Sequence, residues 1–142
     1  MSLRMTRTER EAFLAEVRVG VMSVEETGHG PLAVPAWYAY EPGGDILWVT
    51  GRDSRKGRAL AAATRMSMCV QAEQPPYRYV MVEGPFTLET PDYEQHIRAI
   101  AYRYLGRAMG DQYLAGGSGG VVGSVLVRLR PEQWLTVDYG KI

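Results

Sequence analysis

Cysteine and lysine are nearly missing from this chain, net charge is absent, and each shortage excludes something. Cys69 stands alone, so no intrachain disulfide and no thiolate-rich metal site can form. Lys56 and Lys141 are the only lysines, so basic charge rests on arginine. Lys plus Arg number 16 and Asp plus Glu 16, a formal balance of zero that excludes a broad electrostatic footprint for nucleic acid or anionic membrane. No apolar run approaches the roughly 20 residues of a membrane span. The stretch from Met1 to Arg10 is charged where a signal peptide would be apolar. These absences predict a soluble, cytoplasmic protein. What is present is ordinary globular composition, 46% hydrophobic and 23% charged over 142 residues. That length predicts a single domain over 1–142, with 1–7 a loose lead-in.

The chain is organised around Thr50 to Leu60, read T-G-R-D-S-R-K-G-R-A-L. An apolar strand, Ile46 to Val49, runs into a short polar loop. Ser54 then offers an N-cap oxygen, and the alanines from Ala59 onward favour helix. Such a joint presents free backbone N–H groups and a positive dipole end, where phosphate sits well. Arg55 and Lys56 occupy the first turn, where that dipole disfavours cations unless an anion completes the site. A guanidinium fork beside a compact ammonium suits one phosphate. Two solvated charges on a surface turn fit the spacing equally well.

Around this joint the pattern reads mainly as strands. Thr8 with Glu11 makes a capping box for a helix whose apolar face is Phe13, Leu14 and Val17. Arg18 to Val24 is a strand, and Pro31 to Tyr40 a second. Pro35 marks that second strand as an edge, or as a place where a ligand lies against the backbone. Met66 to Gln71 and Tyr77 to Leu88 follow, the latter bent at Gly84-Pro85. Thr90, Pro91 and Gly106 delimit the longest helix, with Tyr93, Ile97, Ile100, Ala101 and Tyr104 at helical spacing. Met109 to Gly120 is loop-like, and Val121 to Leu129 and Gln133 to Tyr139 close the chain as strands. Hairpins at short intervals predict a mainly β, α+β domain, a six-stranded antiparallel barrel with a few peripheral helices.

No self-sufficient catalytic set is visible. The segment from Gly117 lacks the third glycine of a dinucleotide fingerprint, and that from Gly51 has the wrong order for a P-loop. His29 and His96 have no second ligand at metal spacing and read as surface or capping residues. Ser118 lacks the flanks of a nucleophile elbow, and Cys69 reads as a small core side chain. An enzyme with so few reactive groups needs a cofactor to carry the chemistry. Among the aromatic residues, Trp37 beyond the Pro35 break and Tyr79 beside Arg78 stand out as candidates for a site.

Four stretches taken together resemble a known family. They are Val34-Pro35-Ala36-Trp37, Thr50 through Ser54-Arg55-Lys56 to Leu60, Arg65 to Val70, and Tyr77-Arg78-Tyr79 to Gly84. In this order and spacing they resemble the pyridoxamine 5′-phosphate oxidase-like superfamily of flavin-binding split barrels, and within it the flavin/deazaflavin oxidoreductases that use coenzyme F420. The resemblance implies a six-stranded split barrel acting as a homodimer, with two cofactor sites at the subunit interface. It further implies that Thr50, Ser54, Arg55 and Lys56 hold the cofactor phosphate, and that Val34, Pro35 and Trp37 lie along the tricyclic ring. Arg78 and Tyr79 would reach the site from the following strand.

Two departures bear on the activity. The basic residue that true pyridoxamine phosphate oxidases carry near Ala33 or Val34 is missing, and so is their terminal Trp-Arg-x-Leu-x-Pro segment. Both favour the deazaflavin branch. The expectation is therefore an F420-dependent reductase passing hydride to an unsaturated or conjugated small molecule. FMN in the same cradle is the alternative cofactor, and a non-catalytic flavin, haem or tetrapyrrole binder the alternative class.

Overall fold

The computed structural model describes residues 2–117 and 120–142. Among these residues are seven strands: β1 Gly20–Val24, β2 Leu32–Ala36, β3 Ile46–Gly51, β4 Arg65–Gln71, β5 Arg78–Glu89, β6 Ser124–Leu129 and β7 Gln133–Asp138. All pairings are antiparallel, in the order β2-β1-β4-β5-β6-β3, with β7 added beside β5. The ends of that path meet only at an isolated bridge, where Ala39 and Leu47 exchange backbone hydrogen bonds of 2.8 and 2.9 Å. Six strands thus curl into a barrel that is split between β2 and β3, the architecture expected, with β7 as an extra strand outside the ring.

Alternation builds the interior. Gly20, Met22 and Val24 of β1 and Met66, Met68 and Val70 of β4 turn inward, as period-two geometry requires. Cys69 therefore points out and is exposed, which corrects its reading as a core side chain. The core closes over Tyr38, Ile46, Trp48, Leu60, Val80 and Leu129, none more than 1% exposed. Pro35 lies on β2, an edge strand, as its missing N–H demands.

Helix ends differ from the expected ones in instructive ways. Helix α1 spans Arg7–Ala15, and its capping box is Thr6 with Glu9. The sequence T-R-T-E-R-E satisfies the box at two offsets. The earlier one is fixed because Met5 is buried and its N–H donates to Thr136 Oγ1 at 3.0 Å. Leu3 and Met5 are accordingly tied to β7, while Val17 falls beyond the helix and is 56% exposed.

Helix α2, Arg55–Ala61, starts at Ser54 as expected. The long helix begins later than expected, with Asp92 as N-cap of a π-helical turn, Tyr93–Arg98, that runs into α3, Ala99–Ala115. Gly106 does interrupt α3, with φ 77° and ψ 174°, but helix resumes after it. The expected loop over Met109 to Ala115 is thus helical; its few apolar side chains hid the periodicity. Ser118 lies outside the described residues.

Gly84 is where β5 changes partners, leaving β4 and β7 for β6. A Cβ there would stand 2.0 Å from the Arg130 carbonyl oxygen. Gly84→Ala should therefore cost about 1–3 kcal/mol of stability by overpacking against backbone. Urea denaturation checks this, and an unchanged midpoint would remove the close approach from the account.

Candidate functional site

The split between β2 and β3 opens as a cleft of about 330 Å³. One side is the chain leaving β2, Pro35 to Trp37, and the other is Trp48 and Val49 of β3. The long helix roofs it with His96, Ile97, Ile100 and Ala101, while Tyr113 and Lys56 stand at the remaining edges. The side chains are aromatic or aliphatic apart from two basic heads, Lys56 and His96. Trp48 is 1% exposed, and its indole N–H has no hydrogen-bond partner among the described residues.

The open side of the split is held by tyrosines. Tyr104 Oη accepts from the Tyr38 N–H at 3.0 Å and donates to the Arg18 carbonyl at 2.7 Å. Its ring stacks on Trp37 at 5.1 Å and 7°, and Tyr113 leans on the other ring of that pair at 5.5 Å. Tyr38 donates to the Leu14 carbonyl at 2.7 Å, and burial pushes its phenol above the ordinary range. The backbone around Trp37 is thereby fixed from α1 and from α3 together.

The residues singled out in the sequence divide between places. Pro35, Trp37 and Lys56 meet at the cleft. Lys56 is half-buried and forms no salt bridge among the described residues. Arg55 turns the other way, donating from Nε and Nη2 to Glu26 at 2.8 and 2.5 Å. That guanidinium holds the Glu26 carboxyl below its usual range, and Arg55 lines a separate hollow with Arg58. Ser54 Oγ accepts from the Gly57 N–H at 3.1 Å and donates to the Gly51 carbonyl at 2.7 Å, so it serves the helix cap. Thr50 is buried in β3, and Val34 and Tyr79 are half-buried in β2 and β5, away from the cleft lining.

Arg78 lies on a second, wider cleft of about 1030 Å³, which shares Val19 and Pro35 with the first. Its guanidinium sits 5.0 Å from the Phe13 ring centroid. Sequence reasoning missed the site roles of Trp48, Tyr104, Tyr113 and His96. For Trp48 and Tyr104 the only signal was strand or helical periodicity, which marks core, and Tyr113 lay in a stretch expected to be a loop. His96 does cap, its Nδ1 accepting from the Asp92 N–H at 2.8 Å, and it lines the cleft as well.

A family model described as pyridoxamine 5′-phosphate oxidase matches residues 6–138. No curated protein matches the chain in sequence. Among solved structures, a conserved hypothetical protein from Mycobacterium tuberculosis is similar at TM-score 0.79 and 20% identity, over 99% of this chain and 89% of the other. A structure described as an F420 reductase has TM-score 0.74 and 19% identity, over 88% of this chain and 94% of the other. A FAD-binding protein from Mesorhizobium loti has TM-score 0.67 and 21% identity, over 93% and 94%. These likenesses show a common fold.

Tyr38→Phe strips the Leu14 carbonyl of its donor and should cost about 1 kcal/mol at neutral pH. A phenol whose folded pKa is raised contributes stability that is full below the unfolded value of 10.0 and is lost as pH rises above it. Denaturation curves across that range should therefore fall less steeply for Tyr38→Phe than for wild type. Equal slopes would show that Tyr38 is not protected from ionisation.

Proposed function

The chain belongs to the pyridoxamine 5′-phosphate oxidase family, and on that basis we propose that it is a deazaflavin (F420)-dependent reductase. The observation that carries this reading is Lys56, an ammonium without an acidic partner among the described residues, at the edge of an aromatic-walled cleft. The donor set fits the cofactor: one cation for a phosphate tail, flat apolar walls for a tricyclic ring, and a buried indole N–H without an acceptor among the described residues. Bound there, the deazaflavin would supply hydride for an unsaturated or conjugated small molecule.

The chain's own residues would bind and shield. Lys56 would neutralise the phosphate, with Thr50, Ser54 and Arg55 supporting the loop that presents it. Pro35 and Trp37, with Val34 behind them, would lie along the ring. Ile97, Ile100 and Ala101 would keep water from it, which strengthens every polar contact inside. The F420 reductase of similar fold supports the deazaflavin. The FAD-binding protein of similar fold favours a flavin as the second reading for the same cleft, FMN being the smaller flavin with a phosphate ester for Lys56.

We further propose that the protein is a homodimer whose seam runs beside the site. Register aligns Pro35, Val21, Cys69, Met81 and Leu135 as one row across β2, β1, β4, β5 and β7. Val21 is 41% and Leu135 53% exposed, with Val19 next along at 51%. An apolar row of this kind on the outer face of a sheet suits a second copy of itself. Arg78 and Tyr79, on β5, would then approach the site from the seam.

Lys56→Ala should weaken F420 and FMN at least about tenfold, or roughly 1.4 kcal/mol, as expected for a charge-assisted contact. Arg55→Ala should change either affinity by less than about twofold, because a bidentate partner already occupies that guanidinium. Calorimetric titration separates the two, and unchanged affinity in Lys56→Ala would end the phosphate assignment. For the seam, sedimentation should give a dimer for wild type and a monomer for Val21→Asp; a monomeric wild type would overturn the seam.

A further inference from the structure

The phosphate grip expected of Arg55 and Lys56 together is half dismantled by the Arg55–Glu26 pair. We propose that His96 supplies the missing donor, so that Lys56 and His96 together clasp the phosphate ester of the ligand in the split. This inference rests on the cofactor reading of the cleft given above. The two are the only basic side chains among the described residues lining it, and they come from different elements, α2 and the π turn that opens the long helix.

Local structure settles which ring nitrogen donates. Nδ1 accepts from the Asp92 N–H, so in the neutral ring the proton lies on Nε2. Nε2 has no hydrogen-bond partner among the described residues. Asp92 also fixes the turn beneath. Its carboxylate accepts from the Gln95 N–H at 2.8 Å, and its carbonyl accepts from the N–H groups of His96 at 3.0 Å and Ile97 at 3.4 Å. The last of these spans five residues and widens the helix into its π turn, a geometry often found at functional sites. A ring held this way loses little freedom when a ligand arrives, which favours a directional contact.

The test uses ligand pairs that differ in the phosphate: FMN against riboflavin, and F420 against its phosphate-free deazaflavin core. His96→Asn keeps an oxygen where Nδ1 was, able to accept from Asp92, but has no donor in place of Nε2. We expect His96→Asn to weaken the phosphorylated member about tenfold by calorimetry, as for loss of a hydrogen bond to a charged group, and to leave its partner within about twofold. Equal losses for both members, or no loss for either, would overturn the clasp. Lys56→Ala run alongside tells the failures apart. If it discriminates the pair and His96→Asn does not, only the His96 assignment falls. If neither variant discriminates, or wild type binds neither pair, the cleft reading falls with it.

Discussion

The structure depends on a seam left nearly unstitched. Between β2 and β3 the sheet is joined by the single Ala39–Leu47 bridge, although both strands are otherwise well paired on their far sides. Pro35 is part of the reason, since it offers no N–H to a neighbour on that side. Trp37 is the other part, because its ring stacks on Tyr104 from the long helix instead of packing within the sheet. Unpaired backbone in such a gap needs partners, and the Tyr104 hydroxyl provides one for the Tyr38 N–H. A barrel fully zipped between β2 and β3 would have no cleft there.

Charge is distributed so that one cation is left over at that gap. Arg55 and Lys56 follow each other in the first turn of α2, where the dipole disfavours both. Arg55 is relieved by Glu26, while Lys56 finds no carboxylate among the described residues. Arg55 of that pair is exposed and Glu26 half-buried, so solvent screens the pair and its contribution to stability is modest. Its consequence is directional: it removes a guanidinium from the neighbourhood of the cleft. With a net charge of zero there is no long-range field to substitute, so attraction of an anion falls to Lys56 and to neutral donors close by.

Much of the fold was legible because its signals are local. Period-two alternation gave the strands, Ser54 gave the start of α2, Pro35 gave an edge, and Gly84-Pro85 gave the bend where β5 changes partners. The errors came where two local signals compete or where the deciding partner is far along the chain. Thr6 and Thr8 both satisfy a capping box, and only the Met5–Thr136 contact across the fold chooses between them. Gly106 reads as a stop and is one, but nothing nearby tells that a helix resumes. Arg55 and Lys56 look alike in sequence, and Glu26, 29 residues earlier, decides their fates. His96 satisfied its reading as a cap, which concealed the ring's other edge.

The two clefts are not independent, and this links the site to the proposed seam. Val19 and Pro35 border both, and Pro35 ends the apolar row that crosses five strands to Leu135. Cys69 sits mid-row, exposed on the same outer face as Val21 and Leu135. A second copy lying on this face would cover Val19 and Val21 and meet Pro35, narrowing the wider cleft into a wall for the smaller one. Arg18 and Arg78, whose guanidinium groups pack on Phe13, line that same wider cleft. Their buried Nε groups have no partner among the described residues. Donors left so would find acceptors in whatever closes the cleft, so dimerisation and completion of the site would be a single event.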